Sequence, residues 1–176
     1  YKDRTHFLFE LLQNAEDAKA SEVSIQLFRD QLVIEHNGTL FSKEDVISIT
    51  KVAKSTKSGS GDGSIGKFGI GFKSVYAYTC TPRIYSGKYS FEIRDFIYPY
   101  KISPVALAKD KTRIVIPFDN PEIPAQKAFS EISKALKEQI CATTILFLNN
   151  IESLSIAVEG EFDNIEVVNQ DILKVD

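Results

Sequence analysis

The spacing of apolar residues divides the chain into stretches of two different periods. From Thr5 to Lys19, Leu8, Leu11, Leu12, Ala15 and Ala18 recur at helical spacing, which predicts an amphipathic helix. The period then falls to two. Val23, Ile25 and Leu27 alternate with polar residues, Leu32 and Ile34 continue the alternation, and Arg29-Asp30-Gln31 between them reads as a hairpin turn. Ser42-Lys43-Glu44-Asp45 has the form of a capping box with Asp in place of Glu, and Val46, Ile49 and Ala53 supply the short helix it would start. Ile70 to Thr79 is expected as a helix entered through glycines, followed by strands at Arg83 to Tyr85, Tyr89 to Ile93 and Arg113 to Phe118. Ala125 to Ile140 is expected as a helix with Phe129, Ile132, Leu136 and Ile140 on one stripe. Thr144 to Leu148, Ser153 to Val158 and Ile165 to Val168 then close the chain as strands. Strands outnumber helices, so the expected fold class is α+β, a two-layer α/β sandwich with a mainly antiparallel sheet.

Composition narrows the picture. The 176 residues, 43% hydrophobic and 26% charged, suit a single domain with its own core, with no internal repeat. A net charge of -3 gives no electrostatic case for nucleic acid as the main partner, so any anion site must be built locally. Cys80 and Cys141 lie far apart without His or Cys neighbours at metal-ligand spacing, which disfavours a disulfide framework or zinc site and favours a cytoplasmic setting. No apolar run approaches the roughly 20 residues of a membrane helix. The chain starts without Met and enters a helical pattern at once, as a piece excised from a larger protein would.

Two local patterns carry candidate chemistry. Glu10, Asn14 and Asp17 fall at i, i+4 and i+7 of the first helix and share a face, roughly opposite Leu8, Leu11 and Ala15; they form one wall of a site or a solvated acidic face. Gly66-Lys67-Phe68-Gly69-Ile70-Gly71 precedes a helix, where glycines let unpaired amides approach an oxygen anion such as phosphate. The glycine run lacks the ending of a P-loop and the downstream acid of a dinucleotide fold. Lys54 to Gly66, with Ile65 as its sizeable apolar residue, is expected to be a mobile loop.

Together these residues resemble the GHKL superfamily of ATPases, the module of gyrase B, the ninety-kilodalton heat-shock chaperone, histidine kinases and MutL. Glu10 through Ala18 is similar to the N-box, with Glu, Asn, Asp and Ala at its fixed spacing, and Gly66 through Ser74 to the second glycine box. Ala53 through Thr56 resembles the start of an ATP lid, and Lys111 through Ile116 the late strand whose Thr contacts adenine. Within the superfamily, Gln13 through Ala18 and Gly69 through Val75 look most like the sacsin and NO VEIN type of ATP-binding region.

The resemblance implies a Bergerat-type ATP-binding fold with ATP and Mg²⁺ as cofactors. Asn14 would be the metal ligand, Glu10 the general base, and Asp17 a structural support of the site. Gly69 and Gly71 would bring amides to the phosphates, with Gly66, Phe68, Ile70 and Phe72 as further residues of the nucleotide site. Lys54 and Ser55 would be lid contacts, Lys67 or Lys73 added charge or plain surface lysines, and Thr112 an adenine contact. One element departs from the family. Where its first glycine box places an Asp that accepts the adenine amine, this chain has His36, followed by Asn37 and Gly38, with Leu40 replacing the second glycine. A neutral His36 offers one acceptor nitrogen; Asn37, or a water held by Thr112, is the alternative reader and the one preferred. His6 is expected at the surface or in the helix N-terminus.

The expected function is therefore Mg-dependent ATP binding with slow hydrolysis, lid closure switching the attached domains of a longer chain. A nucleotide-gated interaction module without hydrolysis, a histidine-kinase catalytic domain and a purely structural α+β domain are the alternatives. Expected partners are ATP or ADP and the attached domains, with room for a homodimer and no membrane.

Overall fold

The computed structural model of the chain describes residues 4–51, 71–106, 110–140, 148–159 and 165–168. These build a mixed α/β arrangement around an eight-stranded sheet of order β5-β4-β3-β6-β2-β1-β7-β8. The strands are β1 (Glu22–Leu27), β2 (Gln31–His36), β3 (Arg83–Ser86), β4 (Tyr89–Arg94), β5 (Tyr98–Lys101), β6 (Thr112–Pro117), β7 (Ser153–Val158) and β8 (Ile165–Val168). Pairing is antiparallel except between β1 and β7, which run parallel with Ile25 opposite Ile156. The helices are α1 (Phe7–Asp17), α2 (Lys43–Lys51) and α3 (Ala125–Glu138), with 3₁₀ turns at Arg4–His6 and Gly71–Ala77.

Period-two alternation sorts the sheet into two faces. Val23, Ile25 and Leu27 join Leu32, Ile34, Ile84, Ile114, Ile116 and Ile156 in one core with residues of α1 and α3. Val33, Tyr85 and Val115 form a smaller cluster on the other face, beside the ion pair of Arg113 with Glu35. The predicted capping box is present: Asp45 N–H donates to Ser42 Oγ at 3.1 Å and Ser42 N–H to Asp45 Oδ2 at 2.8 Å, starting α2. β7 and β8 span the expected residues, and β1 and β2 form the expected hairpin.

Two expectations need correction. The segment expected as a helix from Ile70 is, over Gly71–Ala77, a 3₁₀ helix. β5 was not expected; Pro99 is tolerated there because an edge strand leaves one side of its backbone unpaired. The stripe expected on α3 is present: Ile132, Leu136 and Ile140 are buried, joined by Ala128 and Ala135, and Phe129 packs half-buried against the same core under the Arg29 guanidinium at 4.3 Å. The strand expected at Thr144 to Leu148 lies outside the described residues except at its last position, Leu148, which has no strand pairing.

α1 carries the expected apolar face, with Leu8, Leu11, Leu12, Ala15 and Ala18 buried, and it also buries Phe7, Asn14 and Glu16 while Gln13 stays exposed. Glu16 ties it down. Its carboxylate accepts the amides of Asn149 at 2.8 Å, Asn150 at 2.9 Å and Ile151 at 3.2 Å, and the Asn150 side chain at 2.6 Å. The same loop leads into β7. The helix then ends in a Schellman arrangement, Lys19 N–H donating to Glu16 O and Ala20 N–H to Ala15 O, with Lys19 at φ 62 where glycine is usual.

Burial pushes the Glu16 carboxyl upward, but the amides of Asn149, Asn150 and Ile151 outweigh this and hold its pKa below the ordinary 4.5. Its contribution to stability is complete above that value and is lost as pH falls through the lower folded value. Glu16→Ala strands several buried donors and is expected to lower the unfolding free energy by about 3 kcal/mol. Urea denaturation near pH 7 checks this, and an unchanged midpoint would show that the loop is held by other contacts.

Candidate functional site

The predicted site residues are distributed along one line, the length of α1 and the chain that crosses its C-terminal end. Glu10, one turn before Asn14, lies against the start of the 3₁₀ helix: a Cβ added to Gly71 would sit within the Glu10 carboxylate, 2.7 Å from its Cδ. His6 is exposed as expected, with Nδ1 3.5 Å from Glu10 Oε1. Asn14 is 6% exposed, and its Nδ2 is buried without a hydrogen-bond partner. An orphaned amide donor at this depth costs about 1–3 kcal/mol unless something else satisfies it. Asp17 is half-buried and receives Gln13 Nε2 at 3.3 Å, so the face expected for Glu10, Asn14 and Asp17 is split between a buried and a surface part.

At the other end of α1, Gly38 crosses the helix terminus closely enough that a Cβ would meet Ala18 O at 2.7 Å and Ala20 N at 2.9 Å. Thr39 N–H donates to that same carbonyl at 2.7 Å. Glycine stands here because the two backbones touch. The preceding Asn37 is occupied structurally: its Oδ1 accepts the amides of Ser21 and Glu22, both at 2.9 Å, and its Nδ2 donates to Ser21 Oγ at 2.8 Å. The Asn37 amide thus joins the start of β1 to the end of β2.

His36 falls on the face of Leu32 and Ile34, as its register predicts, and is buried. It pairs across the ladder with Thr112, and Thr112 pairs with Ser86 on the next strand. Two residues picked from distant motifs are thus neighbours. Ser86 Oγ and Thr112 Oγ1 are 2.6 Å apart, Ser86 Oγ also accepts the Phe41 amide at 2.9 Å, and both hydroxyls are buried. Ser86 escapes sequence reading because a serine ending a strand looks like turn chemistry; its register opposite Thr112 is the signal. Tyr76 is a second residue not foreseen, its ring packed against Phe72 and Phe96 and its hydroxyl buried without a partner.

Phe72 is buried in the core through the 3₁₀ helix. Lys54, Ser55, Gly66, Lys67, Phe68, Gly69 and Ile70, and with them the expected lid and most of the second glycine box, lie outside the described residues. Among the described residues, no helix is long and apolar enough to cross a membrane, and no cluster of three or more His, Cys, Asp or Glu side chains is placed to hold a metal ion.

Strands β2 to β5 lie wholly, and β1 and β6 largely, within a region of recognisable ancestry. Residues 24–116 match the Sacsin domain, and the chain belongs to that family. It is 39% identical over 97 residues to Protein NO VEIN of Arabidopsis thaliana, which covers 52% of this chain and 4% of that protein. Human sacsin is 37% identical over 99 residues, 46% of this chain and 2% of that one. A putative type II restriction enzyme, HgiDII of Herpetosiphon aurantiacus, is 34% identical over 94 residues, 50% of this chain and 15% of that protein. The chain thus spans a small fraction of the length of each of these relatives.

Burial lowers the His36 pKa from 6.5 to about 4. The imidazole is therefore neutral across the range in which a titrating base reader would have been visible. Between pH 6.5 and about 4 the unfolded chain binds a proton that the folded chain refuses, so stability falls as pH drops through that window. The slope should approach about 1.4 kcal/mol per pH unit. His36→Gln is expected to flatten it above pH 5, where Glu16 does not yet contribute. Urea midpoints between pH 5 and 7 for parent and variant provide the check, and equal slopes would assign the effect elsewhere.

Proposed function

We propose that this sacsin-family chain binds Mg-ATP and hydrolyses it slowly, within a GHKL-type module of the Bergerat fold, and that nucleotide occupancy sets the arrangement of the attached domains. The observation that carries the reading is the orphaned Asn14 amide: a buried polar group without a partner, at the position the superfamily uses to hold the metal. The unpartnered atom is the Nδ2 donor, which an oxygen acceptor such as a phosphate would satisfy while Oδ1 faced the metal. Two further features agree. Gly71 brings its backbone onto the Glu10 carboxylate, which a side chain would prevent, and His36 and Thr112 stand side by side at the end of the sheet beyond α1.

The residues present fit the cofactor in these terms. Magnesium needs six oxygens, and with no acidic cluster among the described residues it would take Asn14 Oδ1 together with phosphate oxygens and water. Glu10, one helical turn away, would orient the water that attacks the terminal phosphate and accept its proton. Remote energetic consequences follow from differential affinity of the nucleotide for two arrangements of the chain. Relatives as different as Protein NO VEIN and a putative type II restriction enzyme are what is expected if the module serves different attached machinery.

Asn14→Ala is expected to weaken Mg-ATP binding on the order of 100-fold in calorimetry, and unchanged affinity would remove Asn14 from the site. Glu10→Ala should instead keep binding within a few-fold and lose turnover by roughly 10²–10⁴. If phosphate release by that variant equals the parent's, the chain is a nucleotide-gated module whose Glu10 is structural.

A further inference from the structure

The turn of the β1–β2 hairpin and α3 border a cleft of about 430 Å³, inside the size range of small-molecule sites. It lies at the Leu27 and Leu32 end of the hairpin, whereas His36 pairs with Val23 at the other end. Gln126, Ser130, Ser133, Lys134 and Lys137 reach it from one face of α3, at i, i+4, i+7, i+8 and i+11, and Arg29 faces them from the turn. One carboxylate, Glu138, stands among these three cations, so the cleft is positive in a chain of net charge -3. Lys134 and Glu138 are both largely exposed and 4.0 Å apart, a contact too weak to neutralise either.

Two features separate this cleft from an ordinary charged surface. The first is that Arg29 is held in place. Its guanidinium lies over the Phe129 ring at 4.3 Å, and Phe129 packs against the core. The turn beneath is tied to the end of β7, where Glu159 accepts the Arg29 amide at 2.9 Å and its own amide donates to Leu27 O at 2.8 Å. Glu159 thus meets the backbone of Arg29, and the guanidinium forms no ion pair among the described residues. Its donors are left for an oxyanion. The second feature is Ser133, 8% exposed, whose hydroxyl forms no hydrogen bond among the described residues. A serine or threonine inside a helix commonly bonds back to the carbonyl four residues earlier, as Thr50 Oγ1 does to Val46 O at 2.8 Å. Ser133 lines the cleft instead.

We infer that this cleft binds a small phosphomonoester, at a site separate from the one that Glu10 and Asn14 define. The inference does not rest on the nucleotide reading. A tetrahedral phosphoryl group presents oxygens in several directions, and donors reach it from two elements: the Arg29 fork from the turn, the Ser130 and Ser133 hydroxyls and the Lys134 ammonium from α3. A planar carboxylate would satisfy the fork and leave the α3 donors over. The phosphoryl group fills only part of the cleft, which leaves room for its organic part beside Gln126.

The test is a ¹H–¹⁵N NMR titration of this chain with glycerol 3-phosphate, with N-acetyl-phosphoserine amide and with succinate, in about 150 mM NaCl so that diffuse attraction is screened. Both phosphomonoesters are expected to shift the Arg29 Nε–H and the Ser133 and Lys134 amides, with a Kd of roughly 1 mM or tighter. Whichever of the two binds more tightly tells whether the source is a free metabolite or a phosphorylated residue. Succinate, a dianion of planar groups, is expected to bind at least about ten-fold more weakly. Arg29→Lys keeps the charge and loses the fork, and is expected to weaken phosphomonoester binding roughly ten-fold. Ser133→Ala, which favours the helix, is expected to weaken it by about five-fold. Absence of shifts at these three residues overturns the inference, and so does succinate binding as tightly as the phosphomonoesters. Parent-like binding by both variants reduces the cleft to a set of surface charges and overturns it as well.

Discussion

The helical side of the sheet depends on how α1 can be held while carrying polar residues into the interior. Glu16 lies on the part of α1 turned away from solvent, and a buried ionised carboxylate is tolerable where donors surround it. The loop before β7 supplies those donors from backbone amides, which cannot be lost by substitution of their side chains. The same carboxylate fixes both the axial position of α1 and the path of the chain into β7, between β1 and the edge strand β8. Asn14, two residues earlier, is carried to its depth by this clamp, with its own amide left unsatisfied.

The Gly38 crossing works in the same way at the helix's C-terminal end. Because the β2 strand leaves the sheet over Ala18 with its backbone in contact, the Gly38 amide, the His36 ring and the hydroxyls of Thr112 and Ser86 are positioned by main chain and ladder register. A polar row set up like this presents the same pattern whether or not a ligand is present. Such preorganisation costs little at the moment of binding.

Elements with one buried face are legible in the sequence, because burial imposes a period. β1, β2 and β7 show their alternation, and the capping box of α2 shows its two partners three residues apart. β5 shows nothing, since Tyr98, Pro99, Tyr100 and Lys101 are all exposed and no face exists to select a pattern. The polar residues of α1 mislead for a different reason. Asn14 and Glu16 have the chemistry of a surface, and the donors that make Glu16 a core residue lie 134 residues away at Asn150. The pairing of His36 with Thr112 is legible through the family resemblance, but the proton pattern of that row depends on the Gly38 N–H donating to His36 Nδ1 at 3.2 Å, which spacing does not reveal.

The parallel pairing of β1 with β7 separates two kinds of boundary. Family similarity covers residues 24–116, whereas β1 has one neighbour in β2 and the other in Ser153–Val158, well beyond that limit. The unit that evolution marks is thus shorter than the unit that folds. During synthesis, β1 emerges long before its partner and shows an open strand edge, with Val23, Ile25 and Leu27 beside it, for on the order of ten seconds at ordinary translation rates. For that interval the nascent chain is a template for pairing with any other extended segment.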